Sequence, residues 1–361
     1  MKRRNFIKYS GAITASGLIW PSSFASIFVP KAKEKLGVAL IGLGYYSTDL
    51  LAPGLQFTEH CELKGIVSGS PDKIARWMSK YNLKDTNIYN YSNFDSIANN
   101  PEIDIIYIVL PPSMHREYAE RASAAGKHVW CEKPMAPTAA DCQAMIDACK
   151  KNKVSLAIGY RMHHEPQTQL LQKWAKEKPF GKIKTLTAKA GYRENRTDHW
   201  KQKKAMGGGV MGDMGVYPLN AVRYVTGLEP IAVTAKASTT RPEIYNEVEE
   251  TMNFELEFPG GLVASCEASF GKNQNTIDVQ CKKGWYKIDP FQAYSGAEIS
   301  TSEKQNFKEK LKHQQAKQMD DDAMAIKANK PMMVPGEEGL KDMKIVDAIY
   351  KSVALGKEVK I

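Results

Sequence analysis

The sequence predicts an α/β chain: a doubly wound parallel-sheet domain followed by an α+β domain with a mainly antiparallel open sheet. Three observations carry that expectation. From Leu36 to Ile158, apolar runs of the kind buried on both faces of a sheet alternate with helix-length segments. The first of these runs, Leu36-Gly37-Val38-Ala39-Leu40-Ile41, passes directly into Gly42-Leu43-Gly44-Tyr45-Tyr46-Ser47, a Gly-x-Gly-x-x-Ser turn that opens a helix. Beyond Gly159 helices thin out, and neighbouring β-patterned runs are joined by turns such as Phe258-Pro259-Gly260-Gly261. At 361 residues and 43% apolar composition the chain has room for two domains. We expect a dinucleotide-binding Rossmann domain over 36–158 and a substrate and oligomerisation domain over 159–361.

The amino terminus stands apart from this pattern. Lys2-Arg3-Arg4-Asn5-Phe6-Ile7-Lys8, a modest apolar run from Tyr9 to Trp20, and Pro21-Ser22-Ser23-Phe24-Ala25 follow in the order of a twin-arginine export signal over 1–25. A basic unstructured tail is the alternative. Export by that route makes the mature protein periplasmic. The formal charge is +10, and Lys2, Arg3, Arg4 and Lys8 contribute four of the positive charges. The rest of the excess is spread thinly, with no basic stripe interleaved with aromatics, so no nucleic-acid partner is expected. No run reaches the roughly 18 apolar residues that span a bilayer.

Six cysteines match no small disulfide framework. Cys142 and Cys149, seven apart on an expected helix, would stand about 10 Å from each other, too far for a bridge. Buried thiols are expected. His163-His164-Glu165 and Asp198-His199 lack ligand spacing with a third partner, so no metal is expected.

Taken in order, each element has a local reason. In the turn after the first strand, Gly42 permits the tight bend, Gly44 lets backbone amides approach a pyrophosphate, and Ser47 is small enough for the helix to pack on the strand. That helix runs on through Leu50 and Leu51. The second strand, 61–67, ends in Ser68-Gly69-Ser70-Pro71-Asp72-Lys73. An Asp or Glu at this strand end would bind the ribose 2′-hydroxyl of NAD. The Ser68 hydroxyl and the Lys73 ammonium suit the 2′-phosphate of NADP instead. Strand 104–110 leads into Pro111-Pro112-Ser113-Met114-His115, where His115 is a cofactor neighbour or a helix-start residue. Helix 116–126 closes at Gly126, strand 127–131 follows, and helix 138–151 with strand 154–158 completes the alternation. In the second half a helix over 165–178 precedes strands near 182–193, 229–238, 248–258, 261–270, 274–281 and 284–288. One helical segment interrupts them: Gly207-Gly208-Gly209-Val210-Met211-Gly212-Asp213-Met214-Gly215-Val216-Tyr217 sets Asp213 and Tyr217 four apart on one helix face.

Trp130-Cys131-Glu132-Lys133-Pro134 ends a buried strand, so Lys133 lies at a carboxyl end, where ligands of open α/β sheets bind. A dinucleotide carries hydride, and the protein must add a proton donor or acceptor beside the reacting alcohol. Tyrosine, with an ordinary pKa of about 10, does this when a cation stabilises its phenolate. Lys133, Tyr217 and Asp213 form such a set, with Asp213 orienting the substrate hydroxyl or the lysine.

Gly42-Leu43-Gly44, Glu132-Lys133-Pro134, Gly159-Tyr160-Arg161, and Gly207-Gly208-Gly209 leading to Asp213-x-x-x-Tyr217 together resemble the glucose–fructose oxidoreductase / inositol dehydrogenase (Gfo/Idh/MocA) family, over nearly all of the chain from Leu36 onward. Most of that family carries histidine where Tyr217 stands. With Ser68-Gly69, Lys73 and the stretch 89–95, the tyrosine makes the chain most similar to the glucose–fructose oxidoreductase branch. The resemblance implies Lys133 as the catalytic lysine beside the nicotinamide, Asp213 as the substrate-positioning acid and Tyr217 as the acid/base. It places Ser68, Lys73 and Tyr91 around the 2′-phosphate, and Gly42, Leu43, Gly44, Tyr46, Leu110, Pro111, His115, Glu132 and Lys133 along the cofactor. Arg161, Trp200 and Lys201 would reach the cofactor from the second domain. Lys201 stands where the glucose–fructose oxidoreductase branch has arginine, which loses a bidentate fork. The proline-rich arm of that branch has no full counterpart in residues 26–35.

The expected function is that of an exported NADP-dependent oxidoreductase acting on a sugar or polyol, and a homo-oligomer through the open face of its sheet. A redox-neutral sugar-modifying enzyme, of the epimerase or oxidation/elimination glycosidase type, is the alternative within the same site. A non-catalytic nucleotide- or sugar-binding protein is the alternative of another class. The joint presence of Lys133, Asp213 and Tyr217 argues against it, since binding alone needs no cation beside a phenol.

Overall fold

The computed structural model of the protein describes residues 33–361 apart from 309, and the expected export signal at 1–25 lies outside the described residues. The first sheet follows from the apolar runs. β1 (Leu36–Ile41) is buried at every position, as a strand covered on both faces requires. β2 (Cys61–Val67), β3 (Ile88–Tyr89), β4 (Ile105–Ile108), β5 (His128–Cys131) and β6 (Leu156–Ile158) join it in the order β3-β2-β1-β4-β5-β6, all parallel. The chain adds strands outward from β1 on one side and then returns to place β4 on the other. The carboxyl ends of β1 and β4 therefore open a crevice at the topological switch point.

The helices depart from expectation in detail. The segment after the Gly-x-Gly turn begins as a π-helical turn, Ser47–Leu51, before a single α turn, α1 (Ala52–Gly54). Pro53 has no N–H for the carbonyl four residues back, and the Ala52 N–H bonds to the Ser47 carbonyl instead. α2 (Pro71–Tyr81) is capped by Ser70 and stopped by Asn82 in the left-handed region. α3 (His115–Ala124) and α4 (Ala139–Lys151) complete the first half, with Gly126 two residues past the end of α3.

In the second half, α5 (Pro166–Glu177), β7 (Ile183–Gly191) and α6 (Val216–Thr226) precede β8 (Ala232–Ser238), β9 (Thr251–Phe258), β10 (Leu262–Ser269), β11 (Gln274–Cys281) and β12 (Trp285–Ile288). Sequence reasoning did not find the remaining elements, β13 (Glu298–Thr301), β14 (Asn306–Lys308), α7 (Gln314–Lys327), α8 (Gly336–Leu355) and β15 (Val359–Lys360). The sheet runs β14-β13-β12-β11-β7-β10-β9-β8-β15, with β7 and β10 its one parallel pair. β9 alternates buried Met252, Phe254 and Leu256 with exposed or half-buried neighbours, the period of a sheet covered on one face. α6 and α8 cover that face. Lys236, Asn253, Glu255 and Ser265 stand exposed on the other, together with Val263 and Trp285, so the open face is mostly polar.

α7 returns to the first sheet, where Met319 and Ala323 pack with Leu40, Leu51, Ile66 and Trp77. All six cysteines are buried free thiols. Among the described residues no helix is long and apolar enough to cross a membrane.

Candidate active site

The crevice starts at the end of β1. Gly42 sits at φ +91°, and a Cβ there would lie 2.3 Å from the Val109 carbonyl oxygen, so only glycine fits. Around Gly44 a Cβ would meet nothing within 4 Å, which leaves its backbone facing open space. Ser47 Oγ donates to the Gly42 carbonyl at 2.6 Å and fixes the turn, with Leu43 buried beneath it. At the end of β2 the Ser68 hydroxyl accepts from the Ser70 N–H at 3.2 Å, Tyr91 packs its ring 3.4 Å from the Cβ direction of Gly69, and Lys73 is exposed on the first turn of α2. A tight turn with open backbone suits the pyrophosphate of a dinucleotide, and a hydroxyl, an ammonium and an aromatic ring stand at the neighbouring strand end. Leu110 and Pro111 are half-buried at the end of β4.

His115 begins α3 and is buried, with Nδ1 3.0 Å from the Pro134 oxygen and Nε2 2.8 Å from the Leu110 oxygen. Both ring nitrogens thus face main-chain carbonyls. Burial lowers its pKa, against the pull of those carbonyls. At the start of α3 it staples the loop after β4 to the loop carrying Lys133.

Glu132 is buried, accepts from the Tyr107 hydroxyl at 2.7 Å and from the Lys133 N–H at 3.3 Å, and burial pushes its carboxyl up to about 7. Tyr46 lies among Glu132, Arg161, Tyr294 and Tyr217. The Lys133-Pro134 peptide is cis. Lys133 Nζ donates to the Asp213 carbonyl at 2.8 Å, stands 3.5 Å from Asp213 Oδ1, and lies 4.5 Å from the centre of the Tyr217 ring. Burial works against its charge, but Tyr217, Asp213 and Glu132 outweigh burial and hold its pKa above the ordinary lysine value.

Asp213 lies in a π-helical turn, Met211–Gly215, that leads into α6. The wider turn alters the α spacing expected between Asp213 and Tyr217, yet both still border Lys133. Glu249 accepts from the Met211 N–H at 3.0 Å and from the Tyr350 hydroxyl at 3.1 Å, which anchors the start of the turn. Gly208 is required by close approach, since a Cβ would lie 2.7 Å from the Trp200 and Lys201 carbonyl oxygens.

The second oxygen of Asp213 has its own partners. Oδ2 is 2.5 Å from Lys201 Nζ and 3.2 Å from the Tyr192 hydroxyl, which itself accepts from Lys201 at 2.7 Å. Burial would raise the Asp213 pKa, but the charges of Lys201 and then Lys133 overcome it and hold the carboxyl well below the usual range. Burial, followed by Asp213 and Glu194, raises the Tyr192 pKa, so that phenol stays neutral. Glu194, opposed by its own burial, is held down at about 2 by the Arg196 guanidinium and N–H.

The structure therefore brings Lys133, Asp213, Tyr217 and Lys201 together, flanks them with Tyr46 and Glu132, and sets Ser68, Lys73 and Tyr91 apart at the end of β2. Trp200 is half-buried, 5.8 Å from Lys201 Nζ. Arg161 is 2% exposed and gives its N–H groups to Glu165, Gln314 and the Gln292 and Ala293 carbonyls, with Tyr294 stacked 4.8 Å away. It ties α5, α7 and the loop before β13 into one knot beside the crevice. Sequence reasoning missed Tyr192, Glu194, Glu249 and Tyr294. A cavity of about 750 Å³ lined by Trp174, Phe180, Arg223 and Tyr286 lies at the far end of α6 and includes none of the clustered residues.

Residues 36–160 match an oxidoreductase family with an NAD-binding Rossmann fold, and residues 168–287 match the GFO/IDH/MocA C-terminal domain. An aldose-aldose oxidoreductase from Caulobacter crescentus, solved with glycerol, is similar to this chain with TM-score 0.87 and 39% identity, over 91% of this chain and 100% of that one. A levoglucosan dehydrogenase solved with NADH and levoglucosan shares the fold, with TM-score 0.78, 22% identity, and 91% and 99% of the two chains covered. The D-xylose 1-dehydrogenase (NADP(+)) of Haloarcula marismortui is 27% identical over 325 residues, 87% of this chain and 90% of that protein.

Proposed function

The chain belongs to the Gfo/Idh/MocA oxidoreductase family, and from that premise we propose that it is an exported, NADP-dependent sugar oxidoreductase in which Tyr217 is the acid/base, served by Lys133 and Asp213. It is an NAD(P)-dependent oxidoreductase acting on CH–OH groups, and its relatives are sugar dehydrogenases and oxidoreductases. The observation that carries the finer reading is the Lys133 ammonium, 4.5 Å from the Tyr217 ring centre and 2.8 Å from the Asp213 carbonyl.

A bound nicotinamide dinucleotide supplies the hydride acceptor and donor. Proton handling falls to the chain. As a sugar hydroxyl is oxidised, Tyr217 takes its proton; in the reverse direction Tyr217 returns it. Lys133, held cationic, stabilises the phenolate form that accepts the proton. Asp213, held ionised, accepts a hydrogen bond from a substrate hydroxyl and fixes Lys133 from the other side.

For the cofactor, Ser68, Lys73 and Tyr91 gathered at the end of β2 favour a 2′-phosphate. One relative is named for NADP(+), while another was solved with NADH. Export rests on the order of elements in residues 1–25. A protein that folds around its cofactor before leaving the cytoplasm keeps it afterwards, so we place NADP as tightly held, with a second sugar-like molecule taking the hydride back. Homo-oligomerisation through the open sheet face belongs to the same proposal.

Tyr217→Phe tests the assignment. Turnover should fall roughly 10²–10⁴-fold while nucleotide binding, followed by fluorescence titration, stays close to the parent value. Near-normal sugar oxidation by this variant would move the proton step to another group.

A further inference from the structure

Lys201 is the cation of the cluster that the proton step leaves unused. An ammonium has three N–H donors and no acceptor. Lys201 commits one to the Tyr192 hydroxyl and one to Asp213 Oδ2, and its side chain remains 14% exposed. One donor is therefore left at the edge of the crevice. Rings of Tyr192, Trp200 and Phe270 stand 5.1, 5.8 and 5.9 Å from Nζ and keep it in place.

The same corner has one acceptor too many. Tyr192 owns a single phenolic proton, and two carboxylate oxygens lie within its reach: Glu194 Oε2 at 3.0 Å and Asp213 Oδ2 at 3.2 Å. Each oxygen also accepts from a cation, Glu194 Oε2 from Arg196 and Asp213 Oδ2 from Lys201, so whichever the phenol serves, the other keeps one lone pair open. A spare donor beside a spare acceptor is the complement of one hydroxyl group. Asp213 also divides the site. Its Oδ1 faces Lys133, the neighbour of Tyr217, and its Oδ2 faces Lys201 and Tyr192. Adjacent hydroxyls of a sugar ring would meet the two edges in turn.

We propose that Lys201, Tyr192 and the Oδ2 edge of Asp213 form a subsite for the hydroxyl next to the one being oxidised, so that this enzyme selects vicinal-diol sugars. The proposal rests on the sugar-oxidoreductase reading above. A site built to hydrogen-bond a hydroxyl rejects the analogue that lacks it, because its polar groups are then buried unpaired. Lys201 acts here as a specificity-determining residue.

The test uses the full chain with the Tyr217→Phe substitution, which stops turnover, saturated with NADP. Dissociation constants for D-glucose and 2-deoxy-D-glucose are measured by calorimetry, then repeated after adding Lys201→Met, Lys201→Arg or Tyr192→Phe. Thermal melting confirms that each variant is folded. The deoxy sugar should bind roughly 10- to 100-fold more weakly in the Tyr217→Phe parent, a loss of the size expected when a buried polar group goes unpaired. Lys201→Met should collapse that ratio to about one, and Lys201→Arg should restore part of it. A ratio that survives Lys201→Met overturns the subsite and leaves Lys201 as a support for Asp213 alone. The protein without substitutions separates the two readings. If it oxidises both sugars with equal efficiency, the subsite fails and the oxidoreductase reading stands; if it oxidises no aldose, both fall.

Discussion

Asp213 shows how much of this site depends on single charges. A carboxylate this enclosed would ordinarily keep its proton, yet Lys201 at one oxygen and Lys133 near the other leave it ionised. Lys133, Asp213 and Tyr217 were legible in the sequence because each falls in a local motif, a strand end or a glycine-rich helix start. The partners of Lys201 were not. Tyr192 lies near the end of β7 and reaches Asp213 only through tertiary packing, which no local spacing encodes. Lys201, which the resemblance implies at the cofactor, lies on Asp213 and Tyr192 in the fold. Cofactor choice also belongs to this scale. Lys73→Ala should weaken NADP more than NAD by roughly 1.5 kcal/mol, the lower end for a charge-assisted bond because Lys73 is exposed. Fluorescence titration with both dinucleotides measures it, and equal losses would remove the basis for NADP.

α7 explains why a whole helix escaped sequence reasoning. Its buried face carries Gln314, Gln315, Gln318 and Asp322 as well as Met319 and Ala323, so the apolar period that marks a core helix is diluted by polar residues. Those residues have work in the fold. Gln318 Nε2 donates to the Tyr107 hydroxyl at 3.0 Å, and that hydroxyl donates to Glu132, so α7 is wired to the loop bearing Lys133. Asp322 is 1% exposed with neither carboxylate oxygen hydrogen-bonded, and burial pushes its pKa up to about 7 from 3.8, with Asp321 adding to the shift and His164 opposing it.

Linkage sets the sign of the pH dependence. Between about pH 4 and 7 the folded protein keeps a proton here that the unfolded chain releases, so this group's contribution to stability is lost as pH rises through that window. Glu132, at about 7, and Asp342, raised to about 6 by burial, act in the same direction. Asp213 and Glu194, held low, act oppositely: their contribution is present above the ordinary carboxylate range and lost as acid protonates them. Asp322→Asn should raise Tm at about pH 8 by several degrees and flatten the fall between pH 4 and 7. Scanning calorimetry across that range checks it, and an unchanged slope would mean that Asp322 is not the group responsible.

On the scale of the molecule, the alternation over 36–158 made the parallel sheet readable, apart from two-residue β3, and the turn-joined runs made the open sheet readable. How the halves meet was hidden, because it depends on α7 crossing back to pack on the first sheet. Through that junction one half presents Lys133 and the other presents Asp213, Tyr217 and Lys201, with the dinucleotide crevice opening beside them. The open face of the second sheet is mostly polar, with Val263 and Trp285 its exposed apolar side chains, so an assembly through it would be held by hydrogen bonds and charge pairs more than by apolar burial.

The most direct test of the central claim, that this cluster moves the proton of a sugar hydroxyl beside a tightly held nicotinamide, is the near-ultraviolet absorbance of the purified full-length protein when an aldose is added without any nucleotide. The absorbance of reduced nicotinamide should rise on addition of the aldose and stay flat in Tyr217→Phe. No change in the protein without substitutions, even after NADP is supplied, would contradict the account.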